Sequence, residues 1–348
     1  MIRVVAPYGA DGSSTRVRIL DWLAHVRLDG DTHFYADFPD NRVDRLLRHP
    51  RQVARAEYDL RRLDVRGDTV LMSREASPFG RGKTEERILG TAAHSVFDFD
   101  DAIYVDSGGP RSWFRPEEKT RRSVAAAHVV VAGNEYLADW AEKHHRDVRV
   151  IPSCVEPDDY VPRTSWDLPE GEPVIVWLGS PSTEVFLEPI APALLQVAQK
   201  HGARIRLISG PSHNPALSSL DPVLERVPWS LSGYAHDLAG ADVAIAPLTD
   251  TAFARGKCAY KLLQYAATAL PMIGSPVGAN ALALERFDGV AATSPAEWAD
   301  GLDELLTESS TRREQRGRAG LGRVREHYAF EAWRDVWCAA MGLAVGTP

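Results

Sequence analysis

The chain has 348 residues, more than one core organises, so two domains of roughly 150 residues each are expected. A hydrophobic fraction of 44% and a charged fraction of 25% are those of an ordinary folded protein, which excludes disordered, collagen-like and disulfide-scaffold classes. A net charge of −8 excludes a chain-wide electrostatic grip on nucleic acid, so any anion site must be local. Cys154, Cys258 and Cys338 are too few and too scattered for bridges or a Cys-rich metal site, and they suit a reducing compartment. With no apolar run of about 18 residues, and no basic flank on Ile2–Ala6, the expectation is a soluble cytoplasmic protein, monomer or homodimer.

Short β-rich runs alternate with longer helical patterns, the grammar of βαβ units and of parallel sheets buried on both faces. The first strand, Ile2–Ala6, leads through Gly12, Ser13, Ser14 and Arg16 into a helix over Ser14–Leu28. That loop reads either as a tight turn capped by Ser13 or Ser14, or as a ligand loop at a strand end. A strand at Thr32–Ala36, a helix over Val43–Leu63 and a strand at Thr69–Ser73 follow. Arg74 then stands at a strand end, either facing a ligand or pairing with Glu75.

Ser95–Asp98 is the fourth strand and runs into Asp98, Asp100 and Asp101. Three crowded carboxylates repel one another, so they should end the strand at a polar opening where water, a cation or a ligand relieves them. One of them could accept a proton there; the alternative is a helix N-cap with surface neighbours. Strands at His128–Val131 and Arg149–Ile151 flank a helix over Glu135–His145 capped by Asn134. Four prolines in Pro152–Gly171 mark a linker.

The second half repeats the grammar with strands at Pro173–Leu178, Arg204–Ser209, Asp242–Pro247 and Leu270–Gly274. After the first of these, Gly179 permits close backbone approach, and Ser180, Ser182 and Thr183 offer hydroxyls that either cap a helix or hold a ligand. Helices are expected over Val185–Lys200, Tyr260–Ala269, Pro295–Thr307 and Ser310–Glu326. Lysine is scarce in this chain, yet two of the six lie at Lys257 and Lys261, four residues apart and expected on one helix face. With Arg255 they could neutralise a diphosphate at the start of that helix; the alternative is a solvated basic face. The terminal stripe Phe330, Trp333, Trp337 and Met341 is expected to bury against the first domain. The histidines show no zinc spacing and there is no G-x-S-x-G elbow, so no metal and no cofactor are expected.

In combination, these residues resemble a known family. Trp229-Ser230, Asp237-Leu238, Ala241–Leu248, Lys257-Cys258, Lys261–Tyr265, Pro271 and Ser275–Asn280 resemble the nucleotide-sugar domain of retaining GT-B glycosyltransferases of the GT4-type group. Ile151–Glu156 is similar to that family's interdomain segment, and Phe97–Asp101 to an N-domain motif of one bacterial branch. Asp98-Phe99-Asp100 is also a literal D-x-D, but the repeated parallel halves suit a single mixed sheet poorly.

The resemblance implies an α/β chain with two Rossmann-like parallel-sheet domains facing a central cleft. Residues 1–152, with 330–348 packing back, would be the acceptor side, and 153–329 would hold the nucleotide sugar. It implies retaining, metal-independent transfer from a nucleoside diphosphate sugar, which serves as co-substrate. In this family the donor helix commonly carries two glutamates eight positions apart; Gly256 and Gln264 stand there instead. The usual Arg/Lys pair after the first donor-domain strand is replaced by Ser180–Thr183, so the diphosphate is assigned to Gly179, Ser180, Ser182, Thr183, Arg255, Lys257 and Lys261. Trp229 and Gln264 are assigned to the nucleoside. Asp98, Asp100, Asp101 and Arg74 are assigned to the reacting sugar and acceptor, with Gly12, Ser13, Ser14 and Arg16 as the facing loop. With no spanning run and no conspicuous basic amphipathic helix, the acceptor is expected to be a small soluble molecule, as in antibiotic or other specialised-metabolite biosynthesis. A sugar-nucleotide epimerase and a non-catalytic sugar-nucleotide binder are the alternatives.

Overall fold

The apolar runs of the sequence form two six-stranded parallel sheets, each buried on both faces. The structure, a computed structural model, describes residues 1–35, 38, 43–106, 108–211 and 214–344. The first sheet comprises β1 (Ile2–Ala6), β2 (Asp31–Phe34), β3 (Thr69–Ser73), β4 (His94–Phe99), β5 (Val129–Ala132) and β6 (Val148–Val150) in the order β2-β1-β3-β4-β5-β6. The second comprises β7 (Val174–Leu178), β8 (Arg204–Ser209), β9 (Leu224–Pro228), β10 (Val243–Ala246), β11 (Met272–Gly274) and β12 (Val290–Ala291) in the order β12-β11-β10-β7-β8-β9.

Alternation along each strand divides the cores. In the first sheet Val5, Met72, Phe97 and Phe99 face one side, while Val4, Ala6, Leu71 and Val96 face the other. In the second sheet Val176, Leu178 and Ala244 oppose Ile175, Trp177 and Val243. A period of two therefore decides which layer each strand residue joins.

The chain forms two units. One is Met1–Cys154, Ala252–Cys258 and Phe330–Pro348; the other is Val155–Thr251 and Ala259–Ala329. A division at residue 152 does not anticipate the excursion Ala252–Cys258, which belongs to the first unit. The terminal helix Phe330–Ala340 also belongs to it, with Trp337 stacked on Trp22 at 5.2 Å and Phe330 edge-on to the same ring at 4.9 Å.

Several elements differ from expectation. Pro50 breaks the helix expected over 43–63 into Val43–Arg48 and Pro50–Arg62, because it cannot donate within a helix but suits a first turn. Pro189 likewise confines Pro181–Ile190 to a 3₁₀ helix before an α-helix at Ala191–His201. The strand expected at 32–36 begins at Asp31, and its expected end, Ala36, lies outside the described residues. The edge strands β9 and β12 escaped the reading, the first for its charged residues and the second for its two-residue length.

The helix Pro50–Arg62 is a further correction. It exposes Arg51, Arg55, Tyr58 and Arg62 along one ridge, so the chain does carry a basic amphipathic helix. Among the described residues no helix is long and apolar enough to cross a membrane. The aromatic cluster makes Trp337→Ala a test of the terminal helix: it should cost about 3–5 kcal/mol in denaturant-induced unfolding. A loss below 1 kcal/mol, roughly a surface substitution, would show that the helix contributes little.

Candidate functional site

Ligands of open parallel sheets collect where the strand order reverses, because two successive loops there diverge at the carboxyl ends. In the first unit the reversal lies between β1 and β3, and in the second between β7 and β10.

The loop after β1 meets a charge cluster in the first unit. Gly12 occupies the N-cap of the first helical turn, and neither Ser13 nor Ser14 caps it through a side chain, which corrects the capping reading. Ser14 is buried and its hydroxyl instead hydrogen-bonds Asp100; Ser13 is exposed and Arg16 half-buried. The following turn, Arg16–Leu20, is π-helical and carries Arg18 into the interior. Arg18 grips Asp98 with two hydrogen bonds, Nε to Oδ1 at 3.1 Å and Nη2 to Oδ2 at 2.6 Å, and donates a third to the Ile151 carbonyl at 3.0 Å.

Arg74 has a left-handed backbone, φ 63°, rare for a residue with a side chain. Its backbone N–H donates to the Asp98 carbonyl at 2.8 Å, and its guanidinium bonds Asp100 at 2.7 Å and Asp101. Glu75 instead receives Lys119 at 2.6 Å and Arg111 at 3.3 Å. Lys257 completes the cluster, its Nζ 3.4 Å from Asp101 Oδ1.

The opening expected at Asp98–Asp101 is therefore filled by the protein's own cations. Burial pushes the Asp98 carboxyl up against the pull of Arg18. Asp100 is lowered: burial acts to raise it, but the Arg74 and Arg18 charges and the Arg74 and Ser14 hydrogen bonds outweigh that. Asp98 is the carboxyl with the raised value, and it is also 3% exposed and held by Arg18, so it offers no open oxygen to a substrate. Among the described residues no cluster of acidic, imidazole and thiol groups could hold a metal ion.

The reversal in the second unit is built from different chemistry. β7 and β10 pair at Ile175–Val243 and Val176–Ala244; one step further the Tyr265 hydroxyl lies between them, accepting from Leu178 N–H at 3.0 Å and donating to the Ile245 carbonyl at 3.1 Å. Gly179 follows β7, and a Cβ there would lie 2.5 Å from the Trp177 ring. The hydroxyls of exposed Ser180 and Ser182 and of half-buried Thr183 come next, Ser180 Oγ lying 3.0 Å from Ser182 Oγ and 3.4 Å from Thr183 Oγ1, which donates to the Ser180 carbonyl at 2.9 Å. Lys261 places its ammonium 5.4 Å from the centre of the Trp177 ring, within cation–π range.

Trp229 stacks on Tyr234 at 6.0 Å, Tyr234 donates to the Tyr160 hydroxyl at 3.2 Å, and Tyr160 hydrogen-bonds Gln264. Gln264 is thus linked to Trp229 through two tyrosines, but it is buried.

The expected Lys257–Lys261 face does not exist. Arg255 ends a four-residue helix, Gly256–Cys258 is irregular, and the next helix starts at Tyr260 after Ala259 with φ 55°. Arg255 and Lys257 belong to the first unit and Lys261 to the second, because the left-handed Ala259 ends one run and begins another.

No protein-family model matches the chain, and no curated protein matches it. Solved structures do. An α,α-trehalose-phosphate synthase (UDP-forming) from Burkholderia vietnamiensis is 12% identical at TM-score 0.65, covering 98% of this chain and 99% of its own. WaaG, a glycosyltransferase involved in lipopolysaccharide biosynthesis, is 13% identical at TM-score 0.65, over 99% and 100%. A glycine-to-arginine mutant of TarM from S. aureus, solved in complex with fondaparinux, α-GlcNAc-glycerol and UDP, is 8% identical at TM-score 0.61, over 82% and 58%. The chain has the GT-B fold.

A GT-B fold places the two reversal points but does not dictate the side chains there. Arg18, Asn134 and Tyr265 were not assigned to the site from sequence. Arg18 stands one helical turn before the buried Trp22, a position that marks an arginine as inward-facing. From the sequence Asn134 reads only as a cap, which it is, accepting from Leu137 N–H at 3.0 Å.

Replacing one member of the Arg18–Asp98 pair should cost about 3–5 kcal/mol, whereas Arg18→Met with Asp98→Leu should recover most of that loss. A double variant as unstable as the sum of the singles would show that the pair is not a closed unit. Asp100, being lowered, contributes stability that is complete above its ordinary value of 3.8 and is lost as the pH falls through its folded value. Asp100→Asn should therefore be less stable at neutral pH, and its unfolding free energy should converge on wild type on acidification. Parallel pH curves would refute this.

Proposed function

We propose that the protein is a retaining glycosyltransferase that moves a sugar from a nucleoside diphosphate sugar to a small soluble acceptor, of the kind modified in specialised-metabolite pathways. The observation that carries this reading is the reversal point of the second unit. There a glycine against Trp177, the hydroxyls of Ser180, Ser182 and Thr183, and Lys261 provide hydrogen-bond donors and positive charge for a diphosphate. The GT-B likeness and the UDP-forming synthase among the similar structures support it and make UDP the first nucleotide to test.

In the proposed reaction the bond from the anomeric carbon to the diphosphate oxygen breaks as the bond to the acceptor oxygen forms on the same face. The acceptor proton passes to the departing phosphate. Positive charge fixed in advance stabilises the charge that develops on the leaving group. No protein nucleophile and no metal ion takes part. Trp229 and the Tyr234–Tyr160–Gln264 chain would receive the nucleoside, and Arg74 with Asp98, Asp100 and Asp101 would shape the acceptor side through their cations.

One observation favours a second acceptor class. Tyr58 is 55% exposed among the arginines of the ridge Arg51–Arg62, and Leu47, on the preceding helix, is 72% exposed, a composition suited to an acceptor carried on an anionic membrane surface.

The test is release of nucleoside diphosphate from a panel of UDP-, GDP- and dTDP-sugars, with soluble and vesicle-borne acceptors. Transfer predicts release that depends on acceptor, with the anomeric configuration preserved in the product. Isomerised donor without acceptor would establish an epimerase, and donor-dependent thermal stabilisation without turnover would establish a binder. Lys261→Ala should weaken nucleoside diphosphate binding by about 1.5–3 kcal/mol, the range for a hydrogen bond to a charged group. Unchanged binding would remove Lys261 from the site.

A further inference from the structure

The segment Ala252–Cys258 leaves the second half of the sequence to join the first unit, and its last three residues are held there on every side. Asn134 Nδ2 donates to the Gly256 carbonyl at 2.9 Å and to the Lys257 carbonyl at 3.1 Å. The Cys258 thiol donates to the Asp100 carbonyl at 3.2 Å. The fit leaves no space: a Cβ on Gly256 would lie 2.6 Å from Ala102 N, and one on Gly133 would lie 2.3 Å from Cys258 Sγ. The product of these contacts is the position of one ammonium group, Lys257 Nζ, on Asp101 and 5.1 Å from the centre of the Phe253 ring.

We propose that Asn134 is the positioning residue for Lys257, its amide splitting two tasks between two atoms. Oδ1 caps the helix Glu135–Ala141, and Nδ2 moors the Gly256–Cys258 segment. Both Nδ2 bonds go to backbone carbonyls of the segment, for which the Cys258 thiol, 3.8 Å from the Gly256 carbonyl, is a weak substitute, so losing them loosens the segment rather than one side chain. The mooring stands on geometry alone. Its consequence for turnover rests on the transferase reading, in which Lys257, seated on Asp101, is one of the cations that shape the acceptor side.

Asn134→Ser separates the tasks, because a serine hydroxyl still accepts the cap hydrogen bond but cannot span to two carbonyls. The first readout needs no activity. Cys258 is buried, and burial pushes its thiol pKa up, so wild type should alkylate there slowly. In Asn134→Ser the rate of iodoacetamide labelling at Cys258, followed by peptide mass, should rise tenfold or more. Labelling at Cys154 and Cys338, also buried in the same unit, should stay within twofold and reports global unfolding. Gly256→Ala, whose added methyl would meet Ala102 N at 2.6 Å and push the segment off, should raise Cys258 labelling in the same way if Asn134→Ser folds poorly. The second readout is turnover: kcat should fall at least tenfold with the donor KM within threefold. Unchanged Cys258 labelling in both variants overturns the mooring. Raised labelling with unchanged kcat overturns the positioning role. Raised labelling in a protein whose wild type transfers no sugar upholds the mooring and rejects the transferase reading instead.

Discussion

Burying Asp98 beside Asp100 and Asp101 is the constraint from which the first unit's site follows. Carboxylates removed from water are tolerated only when opposite charge and hydrogen bonds replace the solvent. Arg18 from the first helix, Arg74 from the end of β3 and Lys257 from the excursion supply that charge, three cations against three acids. Each cation arrives from a different part of the chain, so the cluster fixes the first helix, the β3 loop and the Gly256–Cys258 segment against one another. A carboxylate paired in this way cannot take a substrate proton without releasing an arginine. The acidic motif therefore acts as a receptacle for cations, and whatever chemistry this end of the sheet performs is organised around guanidinium and ammonium groups.

That arrangement explains which parts of the molecule were legible. β1, β3 and β8 are readable to the residue because their short β-rich apolar runs, interrupted only by half-buried Arg3 in β1 and by Arg204 and Arg206 in β8, are bounded by turn residues. The acids after β4 and the basic run around Lys257 were visible as clusters, since local composition carries them. Their pairing was not, because Arg18 lies 80 residues from Asp98, and Lys257 lies 156 from Asp101. The spacing of Lys257 and Lys261 misled for a related reason. A separation of four implies one helix face only if the helix is continuous, and Ala259 carries no signal that its backbone is left-handed.

The two reversal points have opposite character, and that bears on where a diphosphate could be held. At the first, the polar groups are already committed to one another in a buried network. At the second, Tyr265 satisfies the diverging strands from beneath, which relieves Leu178 and Ile245 of any need for a ligand or water. The groups above it are then not required for the fold: Ser180 and Ser182 are exposed, Thr183 is half-buried, and the three bond largely among themselves, bonds that a stronger acceptor can replace at little cost. An oxygen-rich anion is such an acceptor, because charge-assisted hydrogen bonds are shorter and stronger than those between neutral hydroxyls. The proposed placement of the nucleotide in the second unit thus rests on which polar groups the fold can spare. The GT-B likeness alone, at 12–13% identity to the synthase and WaaG, could not supply it.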